Sequence, residues 1–366
     1  MSYNDIVAIP RYILPNPTLE QLDYAELPVI DFARLSDNAN QLAAEATEGM
    51  RKHGFLVVIN HGLTVAQIAR AFDIADLPFS SVGHEEKMLY AAKLRETGSH
   101  QGYKPRNYWH IDNGVYDQLE AYTIHRDVNQ REHPQALGPV LAEIQALARF
   151  AHLHIVHSIL RLLAIGLELP ENTFVDLHRY DATGESTLRF IKYHPRTAED
   201  EAKTKNVWLK GHTDIGSITV LFSQPVSGLQ ILGKDGKWRW VKHIENGLII
   251  NAGDALERLS GGYYKPTIHR VVQPPADQRH CPRLGLFYFA TADDDVKLVS
   301  CVAQSPILRL EPTTSTPSDD ELAPTMETWR KTRVSSYGSK GAALTPASGG
   351  MIEEETIAGI VIKHYN

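Results

Sequence analysis

The sequence predicts a mainly β protein with flanking helices, an α+β arrangement whose C-terminal half forms an antiparallel sandwich or jelly roll. Eight short β-rich runs between Thr187 and Leu310 carry this expectation: LRFIKY, SITVLF, GLQIL, WRWVKHI, GLIIN, TIHRVV, RLGLFYFA and KLVSCV. Gly, Asp and Pro turns separate them at the spacing of all-β folds. Before Thr187 the apolar residues recur mostly at helical spacing. A chain of 366 residues, 43% apolar and without a charge block, also has enough apolar surface for one large core or two small ones.

In chain order, LPVIDFARL from Leu27 reads as a short strand and NANQLAAEATEGMRKHG as a helix ending at Gly54, where a left-handed residue favours glycine. FLVVINHGL follows as a buried strand and VAQIARAFDIADLPF as a second amphipathic helix. HEEKMLYAAKLRETGSHQGYKPRNYWHIDNG reads as a long loop rich in aromatics, and long loops in compact domains are usually functional. Residues 134–168 hold helical periodicity for about eight turns. GKDG before KWRW is a hairpin turn, with Gly236 free to take positive φ. After Leu310, EPTTSTPSDDELAPT is a polar linker, METWRKTRVSSYG a short helix, and GSKGAALTPASGG flexible in composition. The chain therefore divides into an N-terminal region, 1–186, a β core, 187–310, and a tail, 311–366, that is either a lid or partly disordered.

The formal charge of -7 is spread along the chain with no Lys/Arg cluster, which gives no electrostatic reason to expect nucleic acid or an anionic membrane as partner. A small-molecule substrate is the expectation, and no feature sets an oligomeric state. Two cysteines, Cys281 and Cys301, make no disulfide framework and read as free thiols in a reducing compartment. MSYNDIVAIPRYILPNP lacks a basic stretch followed by an apolar one, and no uninterrupted apolar run approaches the roughly 20 residues that cross a bilayer. A cytoplasmic location is expected.

Chemistry concentrates at GHTDIGSITVLF. On a strand, residues i and i+2 share a face, so His212 and Asp214 can aim at one ion while Thr213 points away. His269 in PTIHRVVQP, central in another predicted strand, is the natural third ligand. Two imidazoles and a carboxylate on one face of an octahedral ion suit non-haem Fe(II) oxygen chemistry, whereas structural zinc favours four closed ligands, often thiolates. An isolated H-x-D triplet is weak evidence, and His110-Ile111-Asp112 and His125-Arg126-Asp127 repeat it in polar settings. Those two are expected to be ordinary turns. His152, His154 and His157, on an otherwise apolar helix, are expected to be packed or partly exposed.

Taken together, HTDIGSITVLFSQPVSGLQI, NAGDALERLSGGYYKPTIHRVVQPP and PRLGLFYF closely resemble the iron(II)- and 2-oxoglutarate-dependent oxygenases related to isopenicillin N synthase and the plant-type dioxygenases. LPVIDFARL, RKHGFLVVINHGL, QGYKP and DQLEAYTI resemble that family's N-terminal region, so the likeness runs from about residue 27 to 310. It implies a double-stranded β-helix core with Fe(II) held by His212, Asp214 and His269 and with 2-oxoglutarate and O2 as co-substrates; ascorbate is expected as a stimulant. It also implies that Arg283 pairs with the distal carboxylate of 2-oxoglutarate, a contact that a planar guanidinium makes in two parallel hydrogen bonds.

Two positions depart from the family. Gly285 stands where an Arg-x-Ser serine is usual, and Ile191 where plant-type relatives carry an asparagine. Tyr193 matches the family tyrosine and reads equally as a co-substrate donor or a core tyrosine. Substrate-lining candidates are Phe289, Ile215, Tyr103 and Trp109, with Tyr108 beside the last. The implied reaction oxidises a small, secondary-metabolite substrate by hydroxylation, desaturation or ring formation. An Fe(II) oxidase that dispenses with 2-oxoglutarate and a catalytically silent jelly-roll binding protein are the alternatives.

Overall fold

Two β-sheets face each other, and the helices cover one of them. The computed structural model describes residues 7–310, 323–336, 343–347, 350–357 and 360–365. The larger sheet runs, edge to edge, through Val29–Asp31, Phe55–Ile59, Leu248–Ala252, Ile218–Phe222, Arg283–Ala290, Thr187–Tyr193, Leu119–His125 and Gly102–Lys104. It therefore draws strands from both sides of residue 186. The second runs through Trp238–Trp240, Leu229–Leu232, His269–Val272 and Val207–His212, then Ile360–Tyr365, Gly350–Ile357 and Ala343–Ala347. Apart from the parallel pair of Val29–Asp31 with Phe55–Ile59, neighbours in both sheets are antiparallel. This is a jelly-roll core with flanking helices.

Strand alternation decides what each face meets. Leu188, Phe190, Leu284, Leu286 and Tyr288 point outward into the main core with the helices, while Thr187, Arg189, Ile191 and Tyr193 point inward to a cavity between the sheets. Beside that cavity, Leu119, Ala121, Ile191 and Tyr193 of the larger sheet pack on Trp208 and Val271 of the second. Phe55, Leu221 and Ile249 likewise pack on Leu229 and Ile231. Strands so enclosed on both faces are buried along nearly their whole length.

The helices Ala39–His53 and Val65–Ser80 form where periodicity placed them, and Gly54 closes the first at φ 63°. Gly236 takes φ 75° in the predicted hairpin. Residues 135–166 are helical but not uniformly so: a 3-10 stretch Gln135–Val140 precedes Leu141–Phe150, and a π turn Ala151–Val156 precedes His157–Gly166. By length and apolarity this run could cross a bilayer; its apolar side chains are directed into the core, with Ile144, Ile155, Ile159, Leu160 and Leu163 almost wholly buried. Within the π turn, His152 receives the Tyr288 hydroxyl on Nδ1 at 2.8 Å and donates from Nε2 to His178 O at 2.7 Å.

Several sequence expectations need correction. KLVSCV forms no strand: Lys297 makes one isolated bridge to Thr325, and Leu298 and Cys301 enter the core from a loop. Burial satisfies an apolar run without a ladder. The WRWVKHI strand stops at Trp240, and His269 opens its strand instead of lying at its centre. The stretch read as one long loop contains two short helices, His84–Leu89 and Leu94–Thr97, and the strands Gly102–Lys104 and His110–Asp112. Leu119–His125, not anticipated as a strand, is buried along its whole length. In the tail Met326–Ser336 is helical as expected, and part of the stretch read as flexible, Ala343–Ala347, is a strand. The polar linker, 311–322 for the most part, and residues 337–342 lie outside the described residues.

Candidate active site

His212 ends one strand and His269 begins the next, and the two are register partners, with ring centroids 4.4 Å apart. Asp214 follows two residues after His212, and its Oδ1 lies 3.8 Å from His212 Nε2 and 3.7 Å from His269 Nε2. Those separations fall below the about 4.2 Å that two ligands 2.1 Å from one ion can span. Each ring is oriented by the backbone two residues before it. His212 Nδ1 is 2.8 Å from Lys210 O and His269 Nδ1 is 3.1 Å from Thr267 O. A carbonyl only accepts, so both rings donate from Nδ1 and present the Nε2 lone pair to the shared space.

Asp214 uses its other oxygen differently. Oδ2 accepts from Thr219 Oγ1 at 2.6 Å and Asn251 Nδ2 at 2.8 Å, which fixes the carboxylate and leaves Oδ1 facing the histidines. Burial pushes the Asp214 carboxyl up, but the His269 and His212 imidazoles and these two hydrogen bonds outweigh it and hold it below its ordinary value. Among the described residues, this is the group of three such side chains whose ligand atoms converge. Neither of the other triplets is the ordinary turn expected: His110–Asp112 is a strand of an exposed hairpin, where His110 Nε2 accepts from Gly114 N at 3.3 Å, and His125 is buried at the end of the strand Leu119–His125, its Nε2 donating to Gly184 O at 2.8 Å. His152 and His157 both donate to His178 O, as packed core histidines.

A dicarboxylate finds its complement in the cavity that the triad lines. Arg283 is 4% exposed, and its Nε and Nη1 have no hydrogen-bond partner among the described residues. A buried guanidinium with orphaned donors is costly unless an anion completes it. Room for it exists because residue 228 is glycine, where a Cβ would stand 3.1 Å from Arg283 Cδ and 3.3 Å from Nε. Burial draws the guanidinium below its ordinary value, with Tyr193 acting in the opposite sense. Tyr193 is the register partner of Arg283, its ring 5.7 Å from the guanidinium carbon, and burial pushes its phenol up to about 12. It stays a neutral donor throughout the physiological range. The residues present therefore fit both an Fe(II) ion and 2-oxoglutarate.

The remaining candidates separate. Phe289, Ile215 and Trp109 line the cavity, and Trp109 also stacks under Lys104 Nζ at 4.4 Å. Tyr103 does not: alternation on Gly102–Lys104 turns Lys104 inward and Tyr103 outward, where its hydroxyl donates to Glu120 Oε2 at 2.8 Å in the main core. Tyr108 is 38% exposed and lies outside the lining, packed edge-on against Trp109. Gly285 contributes no group of its own, because the Phe287 ring fills the space a side chain would take. Sequence reasoning missed Thr219 and Asn251, which hold Asp214, and Arg189, which shares the inward face of Tyr193. It also missed Arg330 and Arg333 on the helix Met326–Ser336, which lines the cavity. Alternation from Tyr193 and Asn251 was the available signal for the strand residues; nothing local marks the helix arginines.

Comparison with known proteins agrees with this geometry. The family model of the 2OG-Fe(II) oxygenase superfamily matches residues 184–292, and that of the non-haem dioxygenase N-terminal region (morphine synthesis) matches residues 27–141. A 2-oxoglutarate-dependent dioxygenase of Dothideomycetidae sp. (strain 11243) is 30% identical over 291 residues, covering 76% of this chain and 86% of the relative. Flavanone 3-dioxygenase 2 of Oryza sativa subsp. japonica is 29% identical over 277 residues, covering 72% and 75%. Among solved structures, a full-length Neurospora crassa protein in complex with alpha-KG and 5-formyluracil shares the fold at TM-score 0.72 and 22% identity, covering 87% of this chain and all of that one. The chain is a member of the Fe(II)- and 2-oxoglutarate-dependent oxygenase family, an oxidoreductase that uses Fe(II), 2-oxoglutarate and O2.

Proposed function

We propose that this chain couples decarboxylation of 2-oxoglutarate to succinate and CO2 with oxidation of a small organic substrate, a secondary metabolite among the classes its relatives handle. The observation that carries this reading is Arg283, a buried guanidinium with orphaned donors that lines the same cavity as the metal triad. His212, Asp214 and His269 hold the iron by Nε2, Oδ1 and Nε2. Arg283 takes the distal carboxylate of 2-oxoglutarate in charge-assisted hydrogen bonds, and Tyr193 donates its hydroxyl nearby. When bound, Fe(II) activates O2 for attack on a substrate C–H bond.

What remains is placement. Phe289, Ile215 and Trp109 form an apolar and aromatic lining that excludes water and orients the substrate, so pocket shape selects among hydroxylation, desaturation and ring formation. The oxidase alternative leaves the Arg283 donors without a function. The test is anaerobic protein with Fe(II) and 2-oxoglutarate, followed by O2 and a panel of candidate metabolites, reading succinate. A weak visible charge-transfer band on adding the keto acid, and succinate formed in step with one substrate, are the expected results. Turnover without the keto acid would favour the oxidase.

A further inference from the structure

The cavity has a second cationic end. Tyr193 is opposite Arg283, whereas Arg189, on the same inward face, is opposite Phe287. Arg189 thus sits four residues, about 13 Å of strand, from the Arg283 level. Its Nε donates to Thr123 Oγ1 at 3.0 Å, and its guanidinium carbon lies 4.6 Å from the centre of the Phe289 ring. Arg330, on the helix Met326–Ser336 and 6% exposed, lines the same cavity. Both arginines lie close enough to the half-buried His100, another lining residue, to help hold it neutral, after the larger effect of desolvation.

The pattern of hydrogen bonds singles out Arg330. Lys104 Nζ, also in the lining, uses its three donors on Asp117, Pro105 O and Leu119 O. Glu185, the acid at this end, accepts from Ser99 Oγ and from Gln101 Nε2. Arg330 gives Nη1 to Gly98 O at 2.8 Å and Nη2 to Asp294 at 3.3 Å, but its buried Nε has no partner among the described residues. Nearby, Phe287 and Phe289 stack with centroids 5.6 Å apart and add apolar surface to the cavity lining.

Building on the function proposed above, we propose that the substrate carries a carboxylate, seated at this end against Arg330 and Arg189. An acceptor oxygen satisfies the orphaned Arg330 Nε, which the ion pair of Arg330 with Asp294 leaves unused, in a charge-assisted hydrogen bond. The substrate's flat or apolar portion then lies on Phe287 and Phe289, with the reacting carbon toward His212, Asp214 and His269. The two arginine ends have different tasks: Arg283 takes the co-substrate and Arg330 the substrate.

The test compares acids with their neutral amides. Anaerobic Fe(II) protein saturated with 2-oxoglutarate is titrated calorimetrically with benzoate, phenylacetate and cinnamate, and with the three matching amides. Wild type should bind at least one acid about tenfold or more tightly than its amide. Arg330→Gln, and separately Arg189→Gln, should remove that preference while leaving amide affinity and the affinity for 2-oxoglutarate unchanged. Melting temperatures identify a variant that has lost its fold, in which case the other variant decides. Equal binding of acids and amides by wild type, or a preference that survives both substitutions, would overturn the proposal. Absence of the 2-oxoglutarate charge-transfer band would count against the function reading instead, since the acid and amide comparison can be repeated on metal-free protein.

Discussion

Ile191 lies directly opposite Gly285 across the antiparallel pair of Thr187–Tyr193 with Arg283–Ala290, and the Phe287 ring closes over the glycine. A Cβ at position 285 would stand 2.5 Å from Phe287 Cε2. The two places where the family resemblance leads one to expect serine and asparagine therefore face each other and carry no polar side chain. The co-substrate end depends on the next pair that faces the cavity, Tyr193 and Arg283.

This arrangement makes a counter-intuitive prediction for the family-like substitution. Gly285→Ser should not improve 2-oxoglutarate binding, because its Cβ must displace Phe287; the overpacking should cost about 1 to 3 kcal/mol of stability. With Phe287→Ala in the same chain, the serine should be tolerated. A double-mutant cycle by urea unfolding checks this: the combined cost should fall short of the sum of the two single costs. Simple additivity would mean that the ring and the serine do not compete for space.

The metal site should respond in graded fashion. Asp214→Ala is expected to abolish iron binding and turnover with the fold retained, since the residue closes a cavity and carries little of the core. Asn251→Ala leaves the three ligands in place but removes one of the two hydrogen bonds that aim Oδ1, so metal affinity should fall about ten- to hundredfold. Anaerobic titration with Fe(II), alongside the melting curve of each variant, separates the two effects. Full iron content in Asp214→Ala would rule out the assignment.

How much of this was legible in the chain follows from which signals are local. The metal site was legible because His212 and Asp214 stand within three residues and His269 sits in a motif of its own, although the strand ends at His212 and Asp214 is brought back by the chain that follows it, not by strand alternation. Arg283 was legible through the family resemblance, with which its place as a charge in an otherwise apolar run agrees. Tyr103 was misplaced because alternation is useful only once the register is known; Lys104 faces the cavity, an inward-pointing lysine that composition would put in solvent. Arg330 and Arg333 were illegible because their positions depend on where a C-terminal helix docks. That docking rests on distant partners: Trp329 Nε1 donates to Ile215 O at 3.1 Å, and Arg333 pairs with Asp254.

Acid sensitivity should come from the core histidines. Burial lowers His152 to about 3 and His178 to about 4. Both rings are held neutral by one donated and one accepted hydrogen bond, with Tyr288 and Ser217 as the donors. In the unfolded chain they titrate near 6.5, so below that pH the unfolded state takes up protons the folded state refuses. Stability should therefore fall as pH drops from about 6.5 toward 4, by up to about 2.7 kcal/mol per pH unit for the pair. The loss levels off once the folded rings protonate too. Urea unfolding between pH 6.5 and 5 measures the slope, and His152→Gln should reduce it by up to about half. An unchanged slope in that variant would place the proton uptake elsewhere.

For Arg283, the expected loss is specific to the co-substrate. Arg283→Gln removes one charge-assisted pair from an enclosed site, about 1.5 to 3 kcal/mol of 2-oxoglutarate binding, and should raise its apparent KM about ten- to hundredfold. Fe(II) affinity should be unchanged, because no triad atom is involved. Arg283→Lys should recover only part of the loss, since a point charge cannot reproduce the two parallel hydrogen bonds. The charge-transfer titration reports the affinity directly, independent of turnover. Unaltered keto-acid binding in Arg283→Gln would move the anchor to another cation.

The placement of substrate is tested at Phe289. Its ring stacks on Phe287, lies beneath the Arg189 guanidinium and faces the cavity, whereas its outward neighbour Tyr288 belongs to the core. Truncating an inward ring should leave the helix-facing core intact, so Phe289→Ala should melt close to wild type. The triad and Arg283 are untouched, and 2-oxoglutarate should still be consumed. A substrate with room to shift, however, no longer holds its C–H bond at the reacting distance. The expected signature is uncoupling, in which succinate continues to form with a true substrate while oxidised product falls by about tenfold or more. Phe289→Leu, which restores apolar bulk without the flat face, should recover coupling only in part. If product and succinate fall together with thermal stability in Phe289→Ala, the ring is a structural element of the sandwich and the substrate lies elsewhere.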